Sequence, residues 1–151
     1  MSELKRILLV EDDPRDVELT LTALGEKNLA NEVLVVRDGA EALDYLHRRG
    51  GFSRHTPGNP AVILLDLKLP KIDGVEVLRQ IRADEQLKMI PVVVLTSSRE
   101  ERDLVEAYQL GVNAYVVKPV NFSEFVTAVK EIGLFWAIIN EPPPGSVKPR
   151  A

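Results

Sequence analysis

The chain has 151 residues, a length that suits one domain with one core. Hydrophobic residues make up 45% and charged residues 28%, and the formal net charge of -4 argues against a uniformly basic face for nucleic acid. The absence of cysteine excludes disulfides, thiolate metal sites and cysteine nucleophiles, while two histidines, His47 and His55, both in expected surface regions, are too few for a histidine metal cluster.

Strand and helix patterns alternate five times. The first strand is expected over Arg6 to Val10, followed by a helix from Pro14 to Glu26. Pro14 suits a first helical turn, Asp13 is placed to cap it, and Val17, Leu21 and Leu24 form its apolar stripe. A second strand, Glu32 to Val36, carries a charge and ends at Arg37, so it belongs at a sheet edge. The second helix spans Gly39 to Arg49, with Ala42, Leu43 and Leu46 facing inward. Gly50 to Pro60 reads as a long loop. The third strand is Ala61 to Asp66, and the third helix Gly74 to Ala83 has Val75, Leu78 and Ile81 as its face. The fourth strand, Pro91 to Thr96, precedes a helix from Arg99 to Leu110, with Gly111 as a left-handed stop. The fifth strand is Ala114 to Val117, and the last helix runs from Phe122 to Asn140. Phe122, Phe125, Val126, Val129, Ile132 and Trp136 are its expected core stripe.

Short apolar strands separated by amphipathic helices predict an α/β, doubly wound, five-stranded parallel sheet covered on both faces. Residues 1–140 form the domain, and residues 141–151, with four prolines, form a disordered or extended tail. Met1 to Arg6 is polar, and the apolar stretch after it ends at Val10, too short for a secretory core. No run approaches the roughly 18 apolar residues of a membrane span. The expected location is the cytoplasm, with no membrane association.

Four strings each follow an apolar strand: Glu11-Asp12-Asp13, Asp66, Thr96 and Lys118-Pro119. In an open parallel sheet, ligands sit at the carboxyl ends of the strands, so these groups are expected to converge on one rim. Crowded carboxylates repel, and a divalent cation between them relieves the cost. Asp12 and Asp66 can each supply a hard oxygen ligand and the Lys68 backbone carbonyl a third, a sparse set that suits Mg²⁺ with its retained waters. Asp66 is then the candidate nucleophile for an aspartyl phosphate, with Lys118 bringing fixed positive charge to the phosphoryl oxygens and the Thr96 hydroxyl donating to one of them. Plainer readings stand beside these. Asp12 and Asp13 can be a helix cap and a solvated strand end, Lys118 a surface lysine, and Tyr115 an ordinary half-buried aromatic. Thr96 can begin a turn, with Ser97 or Ser98 capping the fourth helix. The peptide before Pro119 is free to be cis or trans.

In this order, each at a strand end, the strings resemble the receiver domain of bacterial two-component response regulators, over Leu4 to Asn140. Val10-Glu11-Asp12-Asp13 looks like the family's acidic pair. Leu64-Leu65-Asp66-Leu67-Lys68-Leu69-Pro70, with Asp73-Gly74, looks like its phosphoacceptor loop. Leu95-Thr96-Ser97 and Gly111 to Pro119 look like its switch hydroxyl and its last strand with the lysine. The resemblance implies a flavodoxin-like sheet of order 2-1-3-4-5. It implies that Asp66 takes a phosphoryl group from a histidine kinase or phosphorelay protein. Mg²⁺ would be held by Asp12, Asp66 and the Lys68 carbonyl, with Glu11 acting through water. Thr96 and Tyr115 would couple phosphorylation to the face made by the fourth helix, fifth strand and fifth helix. Such a protein is a signalling switch, and its only catalysis is of its own phosphoryl transfer and dephosphorylation.

With no further module expected after the last helix, direct DNA binding is not anticipated. The long Gly50 to Pro60 loop and the Asn140-Glu141-Pro142-Pro143-Pro144 ending look similar to single-domain regulators that partner bacterial phytochromes. Leu134 to Ile139 is apolar around the whole helix, more than one face can bury. Leu134, Phe135 and Ile138 are therefore expected to form an exposed patch and a homodimer interface, unless the Pro142 to Pro144 tail folds back over it.

Competing functions fit less well. A phosphohydrolase using an aspartyl phosphate wants an acid two residues after its nucleophile, where this chain has Lys68. A flavin mononucleotide binder wants a Gly/Ser/Thr-rich loop after the first strand, where Glu11-Asp12-Asp13 would repel phosphate. A P-loop nucleotidase is excluded, since no Gly-Lys-Ser/Thr string occurs. A receiver-shaped scaffold that is never phosphorylated leaves the complete acceptor set without a use.

Overall fold

The computed structural model describes residues 5–53, 58–119 and 121–146; His55 and residues 147–151 of the tail lie outside them. Five strands, β1 (Ile7–Val10), β2 (Val33–Val36), β3 (Val62–Leu65), β4 (Val92–Thr96) and β5 (Ala114–Val117), pair in parallel in the order β2-β1-β3-β4-β5. Between and after them come α1 (Pro14–Gly25), α2 (Gly39–Leu46), α3 (Gly74–Ala83), α4 (Glu101–Gln109) and α5 (Phe122–Leu134). This is the doubly wound flavodoxin-like sheet that the strand pattern and the family resemblance implied.

Strand periodicity divides the core in two. Leu8, Val10, Ile63, Leu65, Val92 and Val94 point to the face covered by Leu43, Leu46, Val77, Leu78, Ile81 and Ala107. Ile7, Leu9, Val62, Leu64, Val93 and Leu95 point to the other face, against Ala23, Leu24, Phe125, Val126 and Val129. β1, β3 and β4 are buried throughout, whereas β2 and β5 are only half-covered at the two edges. Each fully buried aliphatic side chain contributes about 1.5–3 kcal/mol, so the three central strands anchor the sheet. Arg82 ties α3 to its neighbours: its guanidinium donates to the carbonyls of Leu110, Gly111, Lys88 and Ile90 at 2.8–3.0 Å.

Several elements differ from the sequence expectation at their ends. α2 stops at Leu46, three residues before Arg49, because Arg48 takes a left-handed conformation with φ of 53°. α4 begins at Glu101, and its N-cap residue Glu100 makes no side-chain cap; the Ser98 hydroxyl sits two residues earlier, donating to Asp103 and accepting the Glu100 amide at 3.3 Å. α5 gives way after Leu134 to a π-helical turn, Phe135–Ile139, closed by the Asn140 amide donating to the Phe135 carbonyl at 2.7 Å. The wider turn changes which side chains face the sheet. Ala137 is buried and Ile138 half-buried against the core, while Leu134, Phe135 and Ile139 are 39%, 46% and 62% exposed. Phe122, expected in the core stripe, is 61% exposed at the first position of α5, where it lines a shallow pocket with Arg15, Leu19 and Pro119. The peptide before Pro119 is trans.

The Gly50–Pro60 connection holds a short 3₁₀ turn, Gly50–Phe52, and rejoins the body through Asn59. Asn59 bridges Ser146, and its amide donates to the Gly145 carbonyl at 2.9 Å. Pro143 to Ser146 thus lie beside Gln86 to Ile90, and they line a cavity there with Leu46 and Arg48.

Candidate functional site

The strand order reverses at β1, which pairs with β2 on one side and β3 on the other. That reversal opens a crevice at the carboxyl ends of β1 and β3, the usual ligand position in such sheets. The ladder continues just past the strand ends and fixes the backbone there. Glu11 donates its amide to Val36, Asp66 to Val10 and Lys118 to Thr96, at 3.0, 3.1 and 2.7 Å. The side chains expected to meet are thereby brought together.

Asp66 is 6% exposed and saturated with donors. Its Oδ1 accepts from the Thr96 hydroxyl at 2.8 Å and the Lys68 amide at 3.2 Å, and its Oδ2 accepts from Lys118 Nζ at 3.1 Å. Thr96 is fully buried, so its hydroxyl needs this partner. Gly74, at the start of α3, allows the loop after β3 to close. Its amide donates to the Leu67 carbonyl at 3.0 Å, and a Cβ there would lie 2.4 Å from the Asp66 carbonyl oxygen.

Lys118 reaches three carboxylates: Glu11 at 2.5 Å, Asp16 at 2.7 Å and Asp66 at 3.1 Å. Burial alone would push its ammonium down. The hydrogen bonds to Asp16 and Glu11 and the charge of Asp66 outweigh it and hold Lys118 well above its ordinary value. Glu11, 2% exposed, moves the other way for a carboxylate: burial raises it to about 7 against the pull of Lys118, and the Asp66 charge adds to the rise. One cation therefore serves three acids, and the pocket retains an excess of negative charge.

Glu11, Asp12 and Asp66 each offer a carboxylate oxygen within 4.8 Å of the others. Asp12 is exposed, on the open side of the crevice. Its neighbour Asp13 caps α1, accepting from the Arg15 and Asp16 amides at 2.8 and 3.4 Å, so the two acids divide the roles that the sequence left open. Three hard oxygens, one side open to water and a surplus of negative charge form a donor set that fits a hexacoordinate divalent cation such as Mg²⁺.

Tyr115 is half-buried, and its hydroxyl donates to the Ser98 carbonyl at 3.1 Å; burial raises its phenol. Leu134 and Phe135 lie exposed at the far end of α5, and Ile138 is turned partly inward.

Sequence reasoning missed Asp16 and Asp103. Asp16 stands three residues after the cap Asp13, on the helix side that faces the rim, and that spacing was a readable signal. Asp103 is buried in the first turn of α4, where an acid is expected from the helix dipole alone, and nothing in the sequence marks its burial.

Among known proteins, the model of the response regulator receiver domain matches residues 7–130. The bacteriophytochrome response regulator RtBRR is 67% identical, covering 95% of this chain and 86% of its own, with a TM-score of 0.74. The phosphorylated cyanobacterial phytochrome response regulator RcpA is 44% identical, covering 93% and 99%, with a TM-score of 0.86. The Mn²⁺-bound form of Rcp1, a response regulator of Synechocystis sp., is 40% identical, covering 92% and 99%, with a TM-score of 0.85. Among the described residues no helix is long and apolar enough to cross a membrane. A match over most of the chain, on the same sheet order and with these groups at the strand ends, shows that the protein belongs to the response regulator receiver domain family.

Proposed function

We propose that the protein is a phosphorylation-dependent switch, a single-domain response regulator that accepts a phosphoryl group on Asp66 from a histidine kinase. The observation that carries this is the Asp66 carboxylate, held between Thr96 and Lys118 beside an acidic, cation-ready cluster. In the transfer, an Asp66 oxygen attacks phosphorus, a P–O bond forms, and the P–N bond of the phosphohistidine breaks. The imidazole nitrogen leaves with the bonding pair. Lys118, a fixed charge 3.1 Å from Asp66, is positioned to follow the phosphoryl oxygens, and the Thr96 hydroxyl to turn from Asp66 to one of them. Asp12, Asp66 and the Lys68 carbonyl would hold Mg²⁺ directly and Glu11 through water. When bound, the ion supplies charge neutralisation of the phosphoryl oxygens.

Phosphorylation adds roughly -1.5 to -2 charges and three strong acceptors. Movement of the Thr96 hydroxyl alters the packing under Tyr115, and the α4-β5-α5 surface carries the change to partners by protein–protein interaction. The likeness to RtBRR and RcpA supports a phytochrome-type histidine kinase as donor. The exposed Leu134, Phe135 and Ile139 support a homodimer through the same face.

The test uses Trp136, the only tryptophan, which stacks edge-on against Phe135 at 5.1 Å. Beryllofluoride with Mg²⁺ should change its fluorescence in the wild type and leave Asp66→Ala unchanged. Equal responses in both would remove Asp66 as the acceptor.

A further inference from the structure

Two routes, one hydrogen-bonded and one closed by an ion pair from the half-exposed Lys68 side chain, leave the same oxygen of Asp66 and meet again on α4. One runs from Asp66 Oδ1 to the Thr96 hydroxyl at 2.8 Å, on to the Ser98 amide at 3.3 Å, and from the Ser98 hydroxyl to Asp103 Oδ2 at 2.6 Å. The other runs from Asp66 Oδ1 to the Lys68 amide at 3.2 Å and from Lys68 Nζ to the same Asp103 Oδ2 at 3.2 Å. The two routes close a ring around the end of β4, and Asp103 is its only member on a helix. Ser98 also accepts the Tyr115 hydroxyl on its carbonyl. Asp103 is 7% exposed and Ser98 8%, so neither can replace a lost partner with water without the helix moving.

We propose that Asp103 is a positioning residue that clamps the first turn of α4 to the acceptor loop and to Ser98, and so transmits the state of Asp66 to α4. This rests on the phosphoacceptor reading of Asp66. A Thr96 hydroxyl drawn to a phosphoryl oxygen pulls on Ser98, and a shift of the acceptor loop moves Lys68. Both displacements arrive at one carboxylate oxygen. Because the ends of the ring coincide, the clamp has two arrangements, set by whether Asp66 Oδ1 still receives both donors. Asp103 touches neither the phosphoryl group nor the cation, so its removal affects the response and not the chemistry.

The test is amide hydrogen exchange of α4 (Glu101–Gln109), with β3 as internal reference, before and after acetyl phosphate with Mg²⁺. Asp103→Asn should take up the phosphoryl group to the wild-type extent. Its α4 should exchange about tenfold faster before phosphorylation, within the range of typical couplings, and change little afterwards. A purely structural role would speed exchange equally in both states and leave the phosphorylation-dependent difference intact; that result overturns the proposal. Ser98→Ala removes one arm of the clamp and should shrink the difference partway. If Asp103→Asn exposes β3, the Ser98→Ala response decides, and a wild-type difference there also overturns the clamp. Failure of the wild type to take up a phosphoryl group removes the phosphoacceptor reading and the clamp with it. A phosphorylated wild type with an unaltered Asp103→Asn response removes the clamp alone.

Discussion

The Asp16 carboxylate, in the first turn of α1, lies 2.7 Å from the Lys118 ammonium at the end of β5. It competes with Asp66 for the one cation of the pocket and so keeps part of that charge away from the acceptor. Asp16→Asn should therefore speed phosphorylation by acetyl phosphate in the presence of Mg²⁺. Lys118 keeps Glu11 and Asp66, so the variant should stay folded, at a cost of about 1.5–3 kcal/mol for the lost charged hydrogen bond. Initial rates from intact mass and a urea unfolding midpoint check the two halves.

Gly74 has no chemistry, yet the acceptor loop depends on it. Its missing Cβ would sit 2.4 Å from the Asp66 carbonyl oxygen and 2.6 Å from Leu67 Cα, both backbone atoms that cannot swing aside. Gly74→Ala should displace Asp66 and slow phosphorylation markedly, at a stability cost of about 1–3 kcal/mol from overpacking. A wild-type rate in the folded variant would contradict this close approach.

Asp103 gives an acid-side signature. The Ser98 hydroxyl first, then Lys68, with a smaller effect of Arg102, hold its carboxyl below the ordinary 3.8, despite some opposition from burial. The native state thus binds fewer protons here than the unfolded chain. The stability this contributes is present above pH 3.8 and is lost as pH falls through the lower native value. The stability gap between wild type and Asp103→Asn should shrink on acidification through that window, in urea titrations at stepped pH. A constant gap would show that the carboxylate charge is not what holds α4.

Phe135 is 46% exposed beside Leu134 and Ile139. Sedimentation velocity should show a concentration-dependent dimer for the wild type and a monomer for Phe135→Asp. Monomers for both would remove the homodimer, and dimers for both would move its interface elsewhere.

Much of this was readable because the strands carry their own labels. Ile7 to Val10, Val62 to Leu65 and Val92 to Leu95 are continuous apolar runs, as doubly covered strands must be, and Glu11, Asp66 and Thr96 follow them. Partner choice was less readable. Lys118 was expected to serve Asp66, but its Nζ lies closer to Glu11 and Asp16, since the latter's position depends on the helical phase of α1 relative to β5. The π-helical turn was invisible for a similar reason: one widened turn re-aims Ile138 and Ile139 without altering the apolar composition of the segment. Ser98 looked like a cap because serine before a helix usually is one, whereas here its oxygen accepts the Glu100 amide, just ahead of the first turn, and its proton goes to a buried acid.

The most direct test locates the phosphoryl group chemically. The protein is treated with acetyl phosphate with and without Mg²⁺, the acyl phosphate is reduced with borohydride, and the modified residue is mapped by peptide mass. Modification at residue 66, dependent on Mg²⁺ and absent from Asp66→Ala, is the expected result. Modification at Asp12 or another acid, or equal modification without the cation, would contradict Asp66 as the phosphoacceptor of this pocket.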